Sequence, residues 1–391
     1  MSPRTCAFDS VRRFLAHVSC AVTIQERLYR SNAFIAVNQG PDPHATSHPD
    51  GVIVGSRTLA DFTAAIFRAA GMPAAYAESE ADMLVWANVR GIDSHGVLRI
   101  PWYVRQIDDG DMVPDAVPEV VRQTAATALI DAHRAPGPVA TMAGVEHAMA
   151  KARTCGVAWV VVRSCTHNGA LAYYTDRIAR EGLIGMTTVC SPANMAPYGA
   201  KAAGLHNSPI SIGIPARRHA PIVLDMATSV AAGGKIYFAA DQGLPIPKGW
   251  ALDKNGNDTT DPNEAKIWLP LGPKGSGLAM MFECWSSLLA ANPLCVPRMA
   301  DPSSQSQAQN AVVMAVDVAA FLDPEEYRRS VDELIDAIKA LPASGSDPVM
   351  VPGERENVIG DERTRTGIVL PHGTTRRIDA VAKRFAVATP W

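Results

Sequence analysis

The chain lacks the features by which several large protein classes declare themselves. No apolar run comes near the roughly 20 residues that cross a bilayer; runs such as Val157–Val162 are far shorter. Seven cysteines lie scattered at positions 6, 20, 155, 165, 190, 284 and 295, with no Cys-x-x-Cys pair. That argues against a disulfide framework and suits a reducing, cytoplasmic setting. His-Glu-x-x-His is absent as well, so no zinc site or other metal site is expected. With 36 Lys and Arg against 39 Asp and Glu, the formal charge is −3, and no basic surplus is available for nucleic acid or an anionic membrane. The P-loop pattern and the Gly-x-Gly-x-x-Gly fingerprint of a Rossmann turn are both missing. So is the Gly-x-Ser-x-Gly elbow of a histidine-dependent hydrolase.

What is present is an ordinary globular composition. The 391 residues are 47% apolar and 19% charged, enough for about two or three domains. Residues 1–52 read as an extension, disordered or loosely ordered and without chemistry. Its apolar stretch after Arg12-Arg13 is broken by His17 and Ser19 and offers no clear small-residue cleavage site, against a secretion signal. Residues 39–51, rich in Gly, Pro, Asp and His, read as a linker.

Regular structure is expected from Ser56, with Thr58 and Asp61 arranged as a capping box. Gly71-Met72-Pro73 separates that helix from a second, Ala74 to about Arg90. Past Pro118 strands and helices alternate, the pattern of an α/β fold. Strands are expected at Thr127–Ala132, Val157–Arg163, Ile184–Val189, Ile210–Ile214, Ile222–Leu224 and Ala311–Val318. Helices are expected at Gly137–Arg153 (apolar stripe Val139, Met142, Val145, Met149), Leu171–Glu181, a short one through Lys235, Leu278–Ala291, a helix capped by Asp323 that runs to Leu341, and Thr374–Phe385. Residues 243–263 and 351–356 read as loops.

Chemistry concentrates in Arg90-Gly91-Ile92-Asp93-Ser94-His95-Gly96-Val97-Leu98-Arg99, at the end of the helical pair. Histidine exchanges a proton near neutral pH, and arginine offers a fork that fits a carboxylate. A second histidine, in His167-Asn168-Gly169-Ala170, sits where a strand hands over to a helix, the usual ligand end of an α/β sheet. Gly272-Pro273-Lys274-Gly275-Ser276-Gly277 offers free N–H groups and a cation at a helix start, a phosphate site or merely a capping turn.

Taken together, Arg90-Gly91-x-Asp93-Ser94-His95-Gly96-x-x-Arg99-x-Pro101-x-Tyr103, His167-Asn168-Gly169-Ala170, Ser208-Pro209-Ile210, Leu224-Asp225-Met226-Ala227-Thr228, Gly272-Pro273-Lys274-Gly275 and Val351-Pro352-Gly353-Glu354 resemble the malate/L-lactate dehydrogenase type 2 family. Its members include ureidoglycolate and sulfolactate dehydrogenases and cyclic-imine carboxylate reductases. The resemblance runs in order from about residue 54 to 391. It implies an NAD- or NADP-dependent oxidoreductase of small 2-hydroxy and 2-oxo acids, working as a homodimer. It implies a non-Rossmann, mixed-sheet cofactor domain over residues 126–324, and a helical, substrate-side domain built from residues 53–125 with 325–391. Carried over, the cofactor contacts fall on Ser191, Asp225, Met226, Ala227, Lys274, Gly353, Glu354 and Arg355. His167 corresponds to the proton acceptor, with Ser94, His95 and Arg99 on the substrate side. Spacing alone leaves His95 and His167 competing for the role of base.

Three departures bear on substrate choice. Gly275-Ser276-Gly277 replaces a common Gly-Tyr-Gly, Asn207-Ser208-Pro209 a common Thr-Asn-Pro, and Pro192 follows Ser191 where ureidoglycolate dehydrogenases tend to carry aspartate. The competing readings are a cyclic-imine carboxylate reductase and, from another class, a non-catalytic dinucleotide-binding protein; intact His95, Arg99, His167 and Lys274 speak against the latter.

Overall fold

The computed structural model describes residues 51–295 and 308–391. Of the expected extension, residues 1–50 lie outside the described residues, and Gly51 and Val52, expected to be loose, belong instead to a strand. The first described element, β1 (Gly51–Val54), leads into α1 (Ser56–Ala69) and α2 (Ala74–Val89). Helix α1 starts two residues before Thr58, with Gly55 as its N-cap and no side-chain cap, so the expected capping box does not form. Thr58 and Asp61 lie inside the helix instead. Two short 3-10 turns, Asp93–His95 and Val97–Arg99, then carry the chain into α3 (Ile100–Asp108). The histidine and arginine of the opening motif thus sit on compact turns between two packed helices.

The sheet region begins with β2 (Glu119–Gln123), β3 (Thr127–Asp131), α4 (Gly137–Cys155), β4 (Val157–Cys165), α5 (Ala172–Arg180) and β5 (Leu183–Cys190). It continues through β6 (Ile210–Ile214), β7 (Ile222–Met226) and α6 (Gly233–Gln242). The two-residue strands β8 (Ala251–Leu252) and β9 (Asp258–Thr259), within the expected loop, form a small ladder with β10 (Ile267–Trp268) just past it. Helix α7 (Gly272–Glu283) runs on into a π-turn, Cys284–Leu288, and is followed by β11 (Gln309–Asp317) and α8 (Pro324–Lys339). The chain closes with α9 (Glu354–Thr366), β12 (Ile368–Pro371) and α10 (His372–Arg384).

Seven strands form a mixed sheet in the order β2-β3-β4-β11-β5-β6-β7. Only β3 and β4 pair in parallel, through the α4 crossover, and the other neighbours are antiparallel. The chain is therefore α/β, as its alternation implied. Side chains alternate across a strand, and the two faces read out accordingly. Val160 and Val162 of β4 and Ala311, Val313 and Ala315 of β11 join the main core, whereas Val161 and Val312 pack with Ala290 and Trp285 on the opposite face. Each fully buried Val or Leu contributes about 1.5–3 kcal/mol, which fixes the register.

Helix α4 turns toward the sheet a face of mostly small residues, among them Ala140, Gly144, Ala148 and Ala152, together with Val145 of the expected stripe; Met142 and Met149 pack against the core half-buried, and Val139 is half-buried. Small side chains let the helix axis lie close to the strands. The same closeness appears at its first residue, where a Cβ on Gly137 would overlap the His167 carbonyl. Thr166 reinforces the junction: its Oγ1 accepts from Gly137 N at 3.0 Å and its own N–H donates to Ala135 O at 3.2 Å.

Beyond the sheet, β1 and β12 pair antiparallel from Gly51↔Pro371 to Val54↔Ile368, so the described ends of the chain meet. Asp323 caps α8 as expected, accepting from Glu325 N and Glu326 N at 2.9 Å each. Two further corrections concern helix bounds. Helix α6 begins at Gly233, close to where the short helix was expected to end, and the expected loop at 351–356 contains the start of α9.

Because Gly137 is pressed against the main chain of His167, Gly137→Ala is expected to destabilise the fold by about 1–3 kcal/mol, the usual cost of overpacking. Urea unfolding measures this, and a wild-type midpoint would contradict the reading.

Candidate active site

The loop after α2 is held by a carboxylate clamp from far along the chain. Arg363, on α9, donates to both Asp93 oxygens at 2.7 and 3.0 Å and to the Asn88 carbonyl at 2.5 Å. Asn88 adds Nδ2 to Asp93 Oδ1 at 2.6 Å, and its Oδ1 accepts Val97 N at 2.8 Å. A side chain at Gly96 would collide with that amide, the close approach for which glycine suits this position. Asp93, one of the charged residues in the motif, is thereby a fastening point, while Ser94, His95 and Arg99 are left to face the interior.

His167 arrives from the opposite direction. Strand β4 is distorted just before it, with Ser164 in the left-handed region at φ 55°. The distortion matches a bulge between Gln309 and Ala311, where Asn310 Oδ1 accepts Ser164 N at 3.1 Å. The His167 ring then lies against His95, with centroids 5.7 Å apart and planes 16° from parallel. Trp102 meets it edge-on at 5.2 Å. Its Nδ1 takes a 2.5 Å bond with Tyr103 Oη and a 3.3 Å bond from Gly169 N. Tyr103 is fully buried, and burial, with the field of Glu80 second, pushes its hydroxyl well above the usual tyrosine range.

Arg99 donates through Nε to the Ser94 carbonyl at 2.8 Å and lies over the Trp102 ring at 5.3 Å. Ser94 Oγ is 3.0 Å from His95 Nδ1. Burial above all, and the positive charge of Arg99 next, lower His95 to about 3 and hold His167 well below the ordinary histidine value. Both rings are therefore neutral at physiological pH. The structure brings together all four expected substrate-side residues, His167, His95, Ser94 and Arg99.

It also adds residues that the motifs did not single out. His206 precedes Asn207-Ser208-Pro209, is buried, is lowered to about 4 by burial, and lies close enough to influence His167. Helix α6 closes another side: a Cβ on Gly234 would touch the Ser94 side chain. Under the site, Glu80 is buried with neither oxygen partnered among the described residues, and burial pushes its carboxyl up to about 8. Position beside the motif was the one available signal for His206; periodicity places Glu80 on a helix without marking it as special.

The expected cofactor residues gather around the end of β7. Asp225 Oδ2 accepts Ala172 N, at the start of α5, at 2.8 Å. Met226 closes β7 opposite Ile210, and Ala227 follows it. The Val351–Arg355 segment reaches the same strand, with Val223 N donating to Pro352 O at 3.1 Å and Gly353, at φ 84°, resting against Val223. Glu354 is committed locally, accepting Val351 N at 3.1 Å and pairing with Lys339; Arg355 follows it in the first turn of α9. Lys274 is exposed in the first turn of α7, whose start is anchored by Leu271 N to Thr228 O at 2.8 Å. Ser191 joins through the loops beside it: Asn194 bonds Asn207, and Asn207 O accepts Thr228 N at 3.1 Å.

The arrangement has clear relatives. The sequence profile of the malate/L-lactate dehydrogenase family matches residues 54–379. A malate/(S)-sulfolactate dehydrogenase of Methanothermus fervidus is 34% identical over 336 residues, 83% of this chain and 96% of the relative. A ureidoglycolate dehydrogenase (NAD(+)) of Escherichia coli K12 is 32% identical, covering 74% of this chain and 84% of the relative. A (2R)-3-sulfolactate dehydrogenase (NADP(+)) of Chromohalobacter salexigens is 32% identical, covering 84% and 98%. Among solved structures, malate dehydrogenase from Entamoeba histolytica superposes with a TM-score of 0.81 at 26% identity, over 88% of this chain and all of that one. The Δ1-piperideine-2-carboxylate reductase from Pseudomonas syringae does so with a TM-score of 0.76 at 27% identity, over 85% of this chain and all of that one. The chain belongs to the malate/L-lactate dehydrogenase family.

Proposed function

We propose that the protein is an NAD(P)-dependent oxidoreductase that moves a hydride between nicotinamide and the C2 carbon of a small 2-hydroxy or 2-oxo acid. The observation that carries this is the neutral His167 ring, held at Nδ1 by Tyr103 and Gly169 beside the guanidinium of Arg99. No described residue bonds His167 Nε2 or the terminal nitrogens of Arg99. A carboxylate taken by the Arg99 fork would bring the neighbouring carbon's oxygen to the imidazole.

The contacts at Nδ1 are compatible with two neutral forms of His167. Where Gly169 N–H donates to Nδ1, the ring carries its proton on Nε2. Nε2–H is then a donor for the oxygen of a 2-oxo acid, the reduction direction. Oxidation uses the other neutral form, in which Nδ1–H donates to Tyr103 Oη across the 2.5 Å contact and Nε2 is bare. Arg99 opposes a charged imidazole in the free protein. A bound carboxylate offsets that positive field, so proton uptake by His167 becomes favourable only once an acid is seated.

The cofactor-side residues suit a dinucleotide. Lys274, with its ammonium and its main-chain N–H in the first turn of α7, suits phosphate oxygens, and Asp225, with Ala172 N on one oxygen, can accept a sugar hydroxyl in addition. In this reading Ser191, Met226, Ala227, Gly353, Glu354 and Arg355 line the rest of the cofactor groove. Bound nicotinamide supplies or receives the hydride. In this reading the cofactor domain, residues 126–324, carries a non-Rossmann mixed sheet to which the preceding segment adds β2, the helical domain combines residues 53–125 with 325–391, and the protein works as a cytoplasmic homodimer. The likeness to a piperideine-carboxylate reductase supports a second substrate class, cyclic imine carboxylates, for which Arg99 and Nε2–H would serve equally.

A panel of 2-oxo acids and cyclic imine carboxylates, followed by nicotinamide absorbance with NADH and NADPH, tests the reading; neither turnover nor cofactor binding would sink it. His167→Ala is expected to abolish turnover while keeping cofactor affinity, and full activity would move the proton-transfer role to His95. Arg99→Lys is expected to raise KM roughly 10- to 100-fold, since a point charge replaces a two-pronged contact.

Stability carries a second signature. His95 and His206 stay neutral in the fold down to about 3 and about 4, whereas an unfolded histidine protonates near 6.5. The unfolded chain therefore binds more protons below that value, and stability present above pH 6.5 is lost as pH falls toward 4. Urea unfolding at pH 7.5 and 5 is expected to differ less in His95→Gln than in the wild type; an equal difference would mean that His95 titrates normally.

A further inference from the structure

Away from the histidines, three side chains from separate parts of the chain converge at the end of β5. Cys190 is the last residue of β5, Glu283 the last of α7, and Cys295 lies beyond the π-turn. Their two Sγ atoms and a Glu283 carboxylate oxygen lie within 4.8 Å of one another, and all three residues are buried. The separations, 190 with 283 and 295, match no local ligand spacing, which is why the sequence suggested no metal.

The surroundings of Glu283 are unusual. Its Oε1 accepts Leu294 N at 3.0 Å and Cys295 N at 3.2 Å. Its Oε2 has no partner among the described residues, although only 6% of the residue is exposed. A buried acceptor without a partner is costly, and the Sγ atoms of Cys190 and Cys295 both lie within 4.8 Å of a carboxylate oxygen of this side chain. Cys295 donates to the Ser191 carbonyl at 3.4 Å, and Cys190 Sγ lies 3.1 Å from Ser208 Oγ. The adjoining Cys190 and burial push the Cys295 thiol up, so without a cation it stays protonated.

We propose that Cys190, Glu283 and Cys295 form a structural binding site for a thiophilic divalent cation, with zinc the best chemical match. Two sulfur ligands and one carboxylate suit Zn2+ and are wrong for Mg2+ or Ca2+, which take oxygen ligands. On binding, two metal–sulfur bonds and one metal–oxygen bond form while each thiol releases its proton to solvent. Two protons leave as one dication enters, so the total charge of the buried site does not change. That avoids the desolvation cost of placing a new net charge in the interior. Tetrahedral zinc, with bonds of about 2.3 Å to sulfur and about 2.0–2.2 Å to oxygen, draws such ligands to roughly 3.5–3.8 Å apart. The cluster therefore contracts on metallation, and Ser208 Oγ or a water completes the fourth position. The ion would tie the C-terminal end of α7 to the end of β5, the strand end from which Ser191 emerges.

The test uses full-length protein reduced with a phosphine, which leaves thiols free without competing for zinc as dithiols do. Dialysis against Zn2+ and then against metal-free buffer is expected to leave about one ion per chain by elemental analysis, with a raised Tm. Titration with Cd2+ is expected to produce the ultraviolet charge-transfer band of cadmium thiolate. The double variant Cys190→Ser/Cys295→Ser should lose the band and bind at least about 100-fold more weakly, beyond what outer-shell changes usually cost. Glu283→Gln keeps the acceptor for Leu294 and Cys295 while removing the anionic ligand; it should also bind more weakly, and serves if the double variant does not fold. Cys155→Ser/Cys284→Ser, which alters exposed thiols, should bind as the wild type does. No retained ion and no band in the wild type, or binding unchanged in both Cys190→Ser/Cys295→Ser and Glu283→Gln, overturns the proposal.

Discussion

The site depends on one piece of strand pairing. β11 lies between β4 and β5 and pairs antiparallel with both, so that its first residues, Gln309 and Asn310, stand opposite Cys165 and Cys190. The two flanking strands consequently end at the same level. His167 follows two residues after one end and Ser191 one residue after the other. The bulge at Asn310 permits the offset, and the Asn310 side chain replaces the lost ladder bond by accepting Ser164 N. A slip of one residue would turn Val313 and Ala315 out of the main core and Val312 into it. Hydrophobic burial thus fixes the relative position of the two halves of the site before any polar contact is made.

Polar contacts then set the electrical state of that site. Burial and a nearby guanidinium act in the same direction on both stacked histidines, giving uncharged rings beside an arginine with free terminal nitrogens. Such a centre favours an anionic ligand strongly. It also couples two events that could have been separate, since charge on the ligand and charge on the imidazole become linked through Arg99. Tyr103, buried and pressed on His167 Nδ1, removes one ring nitrogen from the competition and leaves the other facing the interior.

Much of this was legible in the sequence, for physical reasons that differ by element. Strands such as Val157–Cys165, crowded with β-branched residues, and helix α8, with Asp323-Pro324 at its start, carry local signals that tertiary structure does not override. Helix α9 was missed because Gly360 is its only fully buried residue; a helix without an apolar stripe has no periodicity to read. Strands β1 and β12 are four residues each and stabilise one another across the length of the chain, a pairing with no local trace. In the site, the compact motif from Arg90 to Tyr103 could be read because its chemistry is contiguous. His206 and the Cys190, Glu283 and Cys295 group could not, since folding alone makes them neighbours. The expected capping box at Thr58 fell to the chain's earlier helical start after Gly55.

The clamp between Arg363 and Asp93 has a temporal consequence. The loop bearing Ser94, His95 and Arg99 is synthesised long before the guanidinium that fastens it, the two partners standing 270 positions apart. While the chain is still being made, the sheet can form and His167 can take its place, but the loop across from it has the local bonds of Asn88 without the clamp. The ribosome must pass residue 363 before both halves are held. Nascent chains and products truncated ahead of α9 therefore have the histidines yet lack this clamp on the loop that carries one of them.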